Sequence, residues 1–162
     1  MKPQELANMA WAYAKAGVKA PLLFEAVAAE SVKKINVFNS QELANTVWAF
    51  SKAGFDAPSL YGAVATEALQ KLPAFNAQAL ANTAWAFASA GFEALALFEA
   101  IAAEAPRQMR AFKGQGLANL VWALSTAHVS APALYDAVAR EAVSRIAAFN
   151  AQDLSNTAWA FA

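Results

Sequence analysis

The sequence contains no cysteine and a single histidine, His128. Disulfides and thiolate chemistry are therefore excluded, and the ligands that transition-metal sites require are scarce. Neither a P-loop nor a dinucleotide-binding glycine motif is present. His128 takes a position that glycine holds in the other complete copies of the repeat described below, and no Ser/His/Asp arrangement recurs. We therefore predict a protein that is not an enzyme and that uses no metal or cofactor.

An excess of charge is also missing, because twelve Lys and Arg residues balance twelve Asp and Glu residues. A neutral chain has no whole-molecule attraction to nucleic acid or anionic membrane, and only a local basic groove would attract either. The stretches 72–92 and 117–135 carry no formal charge, but both contain polar residues and turn signals, so we expect no membrane span. The N-terminal residues 1–5 are already repeat sequence, and they match neither a signal peptide nor a transit peptide.

A repeat is the main feature that the sequence does contain. Tryptophan, glutamine and asparagine each recur with a step of 37 residues. The three series are Trp11, Trp48, Trp85, Trp122 and Trp159; Gln4, Gln41, Gln78, Gln115 and Gln152; and Asn8, Asn45, Asn82, Asn119 and Asn156. A fixed period predicts one repeat array over 1–162, with repeats 2–38, 39–75, 76–112 and 113–149 and a partial copy 150–162. Because the chain stops inside a copy, we expect a fragment of a longer array or a trimmed one.

Each repeat is predicted to form two helices. In the second copy, Asn39 is a suitable N-cap, Glu42 completes a capping box, and Gly54 suits a left-handed helix end. Pro58 then begins the second helix, whereas Pro106, late in the third repeat, predicts a kink or an early helix end. Helices this short cannot bury their apolar faces alone, so the repeats must stack. The predicted fold is an all-α, right-handed α-solenoid of four helix pairs plus one terminal helix.

The polar face of the first helix carries the candidate binding residues. A helical wheel places Gln41, Asn45 and Lys52 opposite the apolar Leu43 and Val47. Asparagine disfavours helix relative to alanine, so its mid-helix recurrence indicates a use. The row Asn8, Asn45, Asn82, Asn119 and Asn156 forms either a hydrogen-bond ladder between repeats or a set of contacts to bases and sugars.

Two slots near this row vary between copies, as the reading positions of a one-base-per-repeat protein would. One slot holds Glu5, Glu42, Ala79, Gly116 and Asp153, and the other holds Lys15, Lys52, Ser89 and Thr126. Drift at solvated positions would give the same pattern. The tryptophans either wedge between first helices or stack on bases. Basic residues near the second-helix C-termini suit helix dipoles and i,i+4 partners, or alternatively a phosphate-tracking edge.

The pattern Gln-x-Leu-Ala-Asn-x-x-Trp-Ala-Phe/Leu-[Ala/Ser]-x-Ala-Gly, followed by proline and a second amphipathic helix, resembles the octotricopeptide repeats. The step of 37 residues is closer still to the heptatricopeptide repeats. These families are α-solenoids of organellar RNA maturation, stability and translation. The resemblance therefore implies selective binding of single-stranded RNA along the first-helix surface, in a mitochondrion or plastid. We expect the asparagine row and the two variable slots to make the contacts.

Alternatives to RNA remain open at this point. A tetratricopeptide-like scaffold would hold a peptide in the same groove, since amide side chains also suit a peptide backbone. A purely structural array is a third possibility. Protein partners are thus compatible with the sequence, whereas we expect no membrane, no small-molecule substrate and, within this chain, no targeting segment.

Overall fold

A computed structural model of the chain describes residues 1–152, 154, 155 and 158. These residues form α-helices and short 3₁₀ segments joined by turns, without a β-strand, and the helices make four helix–turn–helix repeats. The first helices are α1 (Pro3–Ala16), α3 (Ser40–Ala53), α5 (Ala77–Ala90) and α7 (Gly114–Thr126), and the second helices are α2 (Pro21–Lys34), α4 (Pro58–Lys71), α6 (Leu95–Glu104) and α8 (Pro132–Arg145). Of the partial fifth copy, residues 151, 152, 154, 155 and 158 are helical. The predicted all-α fold is confirmed.

The helix ends follow the predicted capping. At the start of α3, the Asn39 side chain accepts a hydrogen bond from Glu42 N at 2.9 Å, and Glu42 Oε2 accepts one from Asn39 N at 2.8 Å. Gly54 closes α3 with φ 65°, in the left-handed region that glycine tolerates best. His128 adopts φ 55° at the same place after α7, a conformation that costs a non-glycine residue about 1 kcal/mol.

The third second helix ends early, as Pro106 predicts. Helix α6 stops at Glu104, and the chain continues as the 3₁₀ segment Ala105–Ala111. Within that segment Gln108 leaves helical geometry, with φ −121° and ψ 18°. The other second helices continue only into three-residue 3₁₀ turns, namely Ile35–Val37, Leu72–Ala74 and Ile146–Ala148. The missing N–H of proline explains the difference, because an α-helix cannot continue its hydrogen bonding through it.

The repeats stack in two layers of unequal tightness. Helices α1, α3, α5 and α7 pack directly on one another in order, far more closely than α2, α4 and α6 do. Small residues such as Ala44, Ala49 and Ala86, which are at most 1% exposed, allow the first helices to approach closely. Because the tighter layer has the shorter arc, the array curves around its first helices as an α-solenoid.

The apolar core lies between the two layers. Leu43, Val47 and Phe50 of α3 are fully buried, and Leu60 and Val64 of α4 are at most 1% exposed. Aromatic rings from consecutive repeats meet here, and Tyr61 lies edge-on to Phe87 with ring centroids 5.2 Å apart. The predicted apolar faces are thus the ones that the fold buries.

The second, third and fourth repeats are also fastened to the preceding one by a side chain near the end of the second helix. The Lys71 ammonium donates to the main-chain oxygens of Asn36 and Phe38, both at 2.7 Å, and pairs with Glu67 at 2.7 Å. The equivalent contacts join Gln108 to Phe75 O at 2.7 Å and Arg145 to Phe112 O at 2.8 Å. In the first repeat, Lys34 takes the same position and donates to Met1 O at 2.9 Å. Two of the basic residues at the second-helix ends, Lys71 and Arg145, are therefore used to join repeats.

The ion pairs at these helix ends follow the predicted i,i+4 spacing. Glu30 pairs with Lys34 at 2.6 Å and Glu141 with Arg145 at 2.9 Å. The hydrogen bond from Lys34 lowers the pKa of Glu30, and the same bond raises the pKa of Lys34. Both groups therefore stay charged around neutral pH.

Candidate functional site

One side of each first helix is left open by this packing. In α3, the residues Gln41, Asn45, Trp48 and Lys52 lie at positions i, i+4, i+7 and i+11, and therefore share one side of the helix. Gln41 and Lys52 are exposed, whereas Asn45 and Trp48 are half-buried. Because the first helices lie side by side, the four positions become four rows that cross the array.

We call this surface the amide face. Its rows are Gln4, Gln41, Gln78 and Gln115; Asn8, Asn45, Asn82 and Asn119; Trp11, Trp48, Trp85 and Trp122; and Lys15, Lys52, Ser89 and Thr126. The glutamines were not among the predicted contact residues, although their i,i+4 spacing to the asparagines is the signal that assigns them to the same side.

The asparagine row makes no ladder in the part of the chain that the structure describes. The side chains of Asn8, Asn45, Asn82 and Asn119 form no hydrogen bond to one another or to any other described residue. Asn156 lies outside the described residues. Each of these amides therefore keeps a carbonyl acceptor and two N–H donors for water or for a ligand.

The tryptophan row runs beside the amides. The ring centroids of Trp11 and Trp48 are 6.3 Å apart and tilted by 34°, and those of Trp48 and Trp85 are 6.4 Å apart and tilted by 37°. Trp48 and Trp85 pack against the core but stay partly exposed, and Trp11 is 37% exposed. The Lys15 ammonium lies 4.5 Å from the centroid of the Trp11 ring. The indoles thus wedge between repeats and also contribute aromatic surface to the amide face.

The two variable slots lie in different places. Lys15, Lys52, Ser89 and Thr126 are all exposed on the amide face. The glutamate slot lies to one side, where neighbouring first helices meet, and Ala79 in that slot is only 5% exposed. Its carboxylates serve as helix caps, since Glu5 Oε2 accepts a hydrogen bond from Lys2 N at 2.7 Å, as Glu42 does from Asn39. Asp153 lies outside the described residues.

Two cavities adjoin the first-helix layer. A cavity of about 140 Å³ lies between the N-terminal halves of α1 and α3 and is lined mainly by amides. A larger one, of about 260 Å³, lies between the C-terminal ends of α3 and α5 and includes Ser51, Asp56 and Tyr61. Burial raises the pKa of Tyr61, so its hydroxyl stays protonated and donates to Val47 O at 3.4 Å. That phenol therefore has a structural partner.

Neither metal binding nor membrane insertion is indicated by the described part of the chain. No three His, Asp or Glu side chains there are grouped so that they could hold a metal ion. Among the same residues, no helix combines the length and the apolar character that a membrane crossing needs. His128 is exposed at the C-terminal end of α7 and lines neither cavity.

Fold and surface together define a class: an α-solenoid of helix pairs whose closely packed first helices present rows of amides beside tryptophans. Among known families, the RNA-editing substrate-binding complex 6 protein family matches the whole chain, residues 1–162, and the protein belongs to that family. A comparison with curated proteins gives no match. The likeness to octotricopeptide and heptatricopeptide repeats stays a resemblance of repeat pattern.

Proposed function

We propose that this protein is a non-enzymatic module, without metal or cofactor, that binds single-stranded RNA on its amide face and acts in mitochondrial RNA editing. Membership of a family described by RNA editing and substrate binding supports an RNA-related role. Complexes of RNA editing are typically mitochondrial, which favours the mitochondrion, whereas the plastid alternative has no support.

The observation that carries the proposal is the pairing of free amides with aromatic surface. Single-stranded RNA is recognised through splayed bases that stack on aromatic side chains and form hydrogen bonds along their edges. In α3 the free amide of Asn45 and the partly exposed indole of Trp48 lie less than one helical turn apart. The same pair recurs in each described repeat, so successive bases would meet equivalent surroundings.

Electrostatics supports contact to bases more than contact to phosphates. Only two residues of the amide face, Lys15 and Lys52, are cationic, and both belong to the first two repeats. Two basic side chains elsewhere, Lys71 and Arg145, are committed to joining repeats. We therefore propose that hydrogen bonding and stacking provide most of the affinity, with phosphate attraction limited to the N-terminal half of the face.

The neutral face also favours a second candidate, an extended peptide. An amide that donates and accepts at once can hold a peptide backbone as well as a base edge. A peptide backbone carries no phosphate groups that need neutralising, which suits a surface that carries only two lysines. Partners of this kind within a multi-protein complex are compatible with the family description.

The experiment that separates the two candidates is a parallel selection. Wild-type protein is exposed to a random single-stranded RNA pool and to a random peptide library, and bound RNA is quantified by fluorescence anisotropy. RNA binding that weakens in Asn45→Ala/Asn82→Ala but persists in Asn36→Ala supports the proposal, because Asn36 is an exposed asparagine on the 3₁₀ turn after α2. Enrichment of peptides without any enrichment of RNA would show that the RNA proposal is wrong.

A further inference from the structure

The cavity of about 140 Å³ between α1 and α3 opens on the amide face at the junction of the first two repeats. Its lining includes Gln4 and Asn8 from α1 and Gln41, Glu42 and Asn45 from α3. Pockets that enclose a whole small-molecule ligand usually measure about 300 Å³ or more. This cavity therefore suits one small polar group, such as the edge of a single base.

Among the lining residues, Glu42 is the one that carries a charge. The amides of Gln4, Asn8, Gln41 and Asn45 can each donate or accept a hydrogen bond, so they adapt to any base. A carboxylate can only accept. Glu42 Oε2 already accepts from Asn39 N at 2.8 Å, whereas its other oxygen, Oε1, has no hydrogen-bond partner among the described residues. The cap therefore fixes the carboxylate while leaving one acceptor atom free.

The equivalent slot in the next two repeats lacks this acceptor. Ala79 and Gly116 occupy it, and neither has a polar side chain. The junctions that α5 and α7 form with their preceding first helices therefore share the amide rows without the carboxylate. Any base selectivity that depends on Glu42 is therefore confined to one nucleotide position of a bound RNA strand.

We propose, as a refinement that rests on the proposed function, that Glu42 selects a base with an exocyclic amine and rejects uracil at the junction of the first two repeats. Cytosine, adenine and guanine each carry an amino group that can donate to a carboxylate oxygen. Uracil has no amino group, and its one edge donor, N3–H, lies between two carbonyl oxygens that repel a neighbouring carboxylate oxygen. Replacing the preferred base by uracil at this position should weaken binding about 5- to 150-fold, the factor that one specific base contact typically provides.

The test compares RNA selections by the full chain carrying wild-type residues, Glu42→Gln or Glu42→Ala. Glutamine serves in a capping box as well as glutamate does, so Glu42→Gln should keep the melting temperature. Its side-chain NH₂ group adds a donor that can form a hydrogen bond to a uracil carbonyl oxygen. Glu42→Ala should lose the selectivity together with some stability. The matched control is Glu5→Gln, because Glu5 caps α1 in the same way but does not line this cavity.

We expect wild-type motifs to show one position depleted in uracil, and Glu42→Gln motifs to recover uracil at that position alone. Identical motifs from wild type and Glu42→Gln, with binding still sensitive to Asn45→Ala/Asn82→Ala, would overturn this inference and leave the RNA-binding proposal standing. If no RNA is enriched by any protein, the RNA-binding proposal fails and this inference fails with it.

Discussion

Replacing Asn45 and Asn82 by alanine should strengthen the fold while weakening RNA binding. Both side chains lie in mid-helix, half-buried, without a hydrogen-bond partner among the described residues. Alanine is a better helix former than asparagine by about 0.5 kcal/mol per site, so the double variant should gain about 1 kcal/mol in free energy of unfolding. For a chain of this length, such a gain raises the melting temperature by about 2–4 °C.

The effect on binding should have the opposite sign. Each amide is expected to contribute a net hydrogen-bond energy of about 0.5–1.5 kcal/mol to a bound base. The double variant should then bind about 5- to 150-fold more weakly, which corresponds to about 1–3 kcal/mol. Thermal unfolding followed by circular dichroism and anisotropy titration with a selected RNA measure the two effects separately.

A loss of stability would refute this reasoning. If the two amides bridged repeats, their removal would leave buried partners without hydrogen bonds and cost about 1–3 kcal/mol for each such group. A double variant that unfolds several degrees below the wild type would therefore identify the asparagine row as part of the scaffold. Unchanged RNA affinity in a stabilised variant would place the RNA contact on another surface.

Three further predictions concern the scaffold and the charge of the face. Lys71→Ala should lower the free energy of unfolding by about 2 kcal/mol, because it leaves two main-chain oxygens and the largely buried Glu67 unpaired. Lys33→Ala, at an exposed pair, should change it by less than about 0.5 kcal/mol. Equal effects of the two variants in urea titrations would contradict the role of Lys71 in joining the first two repeats. His128→Gly should add about 0.5–1 kcal/mol by relieving its positive φ, and a lower melting temperature would contradict this. A plot of the logarithm of the RNA-binding constant against the logarithm of the salt concentration should have a slope of about −1.4, since Lys15 and Lys52 supply two phosphate contacts. A slope steeper than about −4 would indicate a larger cationic surface.

Much of the fold is predictable because its determinants are local and repeated. The N-cap at Asn39, the left-handed end at Gly54 and the helix start at Pro58 act over a few residues, and each was found where the sequence predicts it. The early end of α6 follows in the same way from Pro106. The spacing of Leu43, Val47 and other apolar residues then sets which helix sides are buried.

The features that were not predictable join residues far apart in the chain. The hydrogen bond from Lys71 to Phe38 O spans 33 residues and depends on how the second-helix ends meet the preceding turn. Sequence spacing places Glu42 beside the polar face, but only the helix packing shows that its slot lies at a helix–helix contact, where Ala79 is buried. The tilt between Trp48 and Trp85 likewise depends on the stacking of complete repeats.

The most direct test of the central claim, that RNA lies on the amide face, is a two-dimensional NMR titration of ¹⁵N-labelled protein with single-stranded RNA. Side-chain NH₂ signals of asparagine and glutamine report on the two sides of the array at once. We predict that the signals of Gln41, Asn45 and Asn82 shift on addition of RNA, while those of Asn36 and Gln70, which lie on second-helix segments, stay in place. Shifts confined to Asn36 and Gln70, with an unperturbed amide face, would contradict the account.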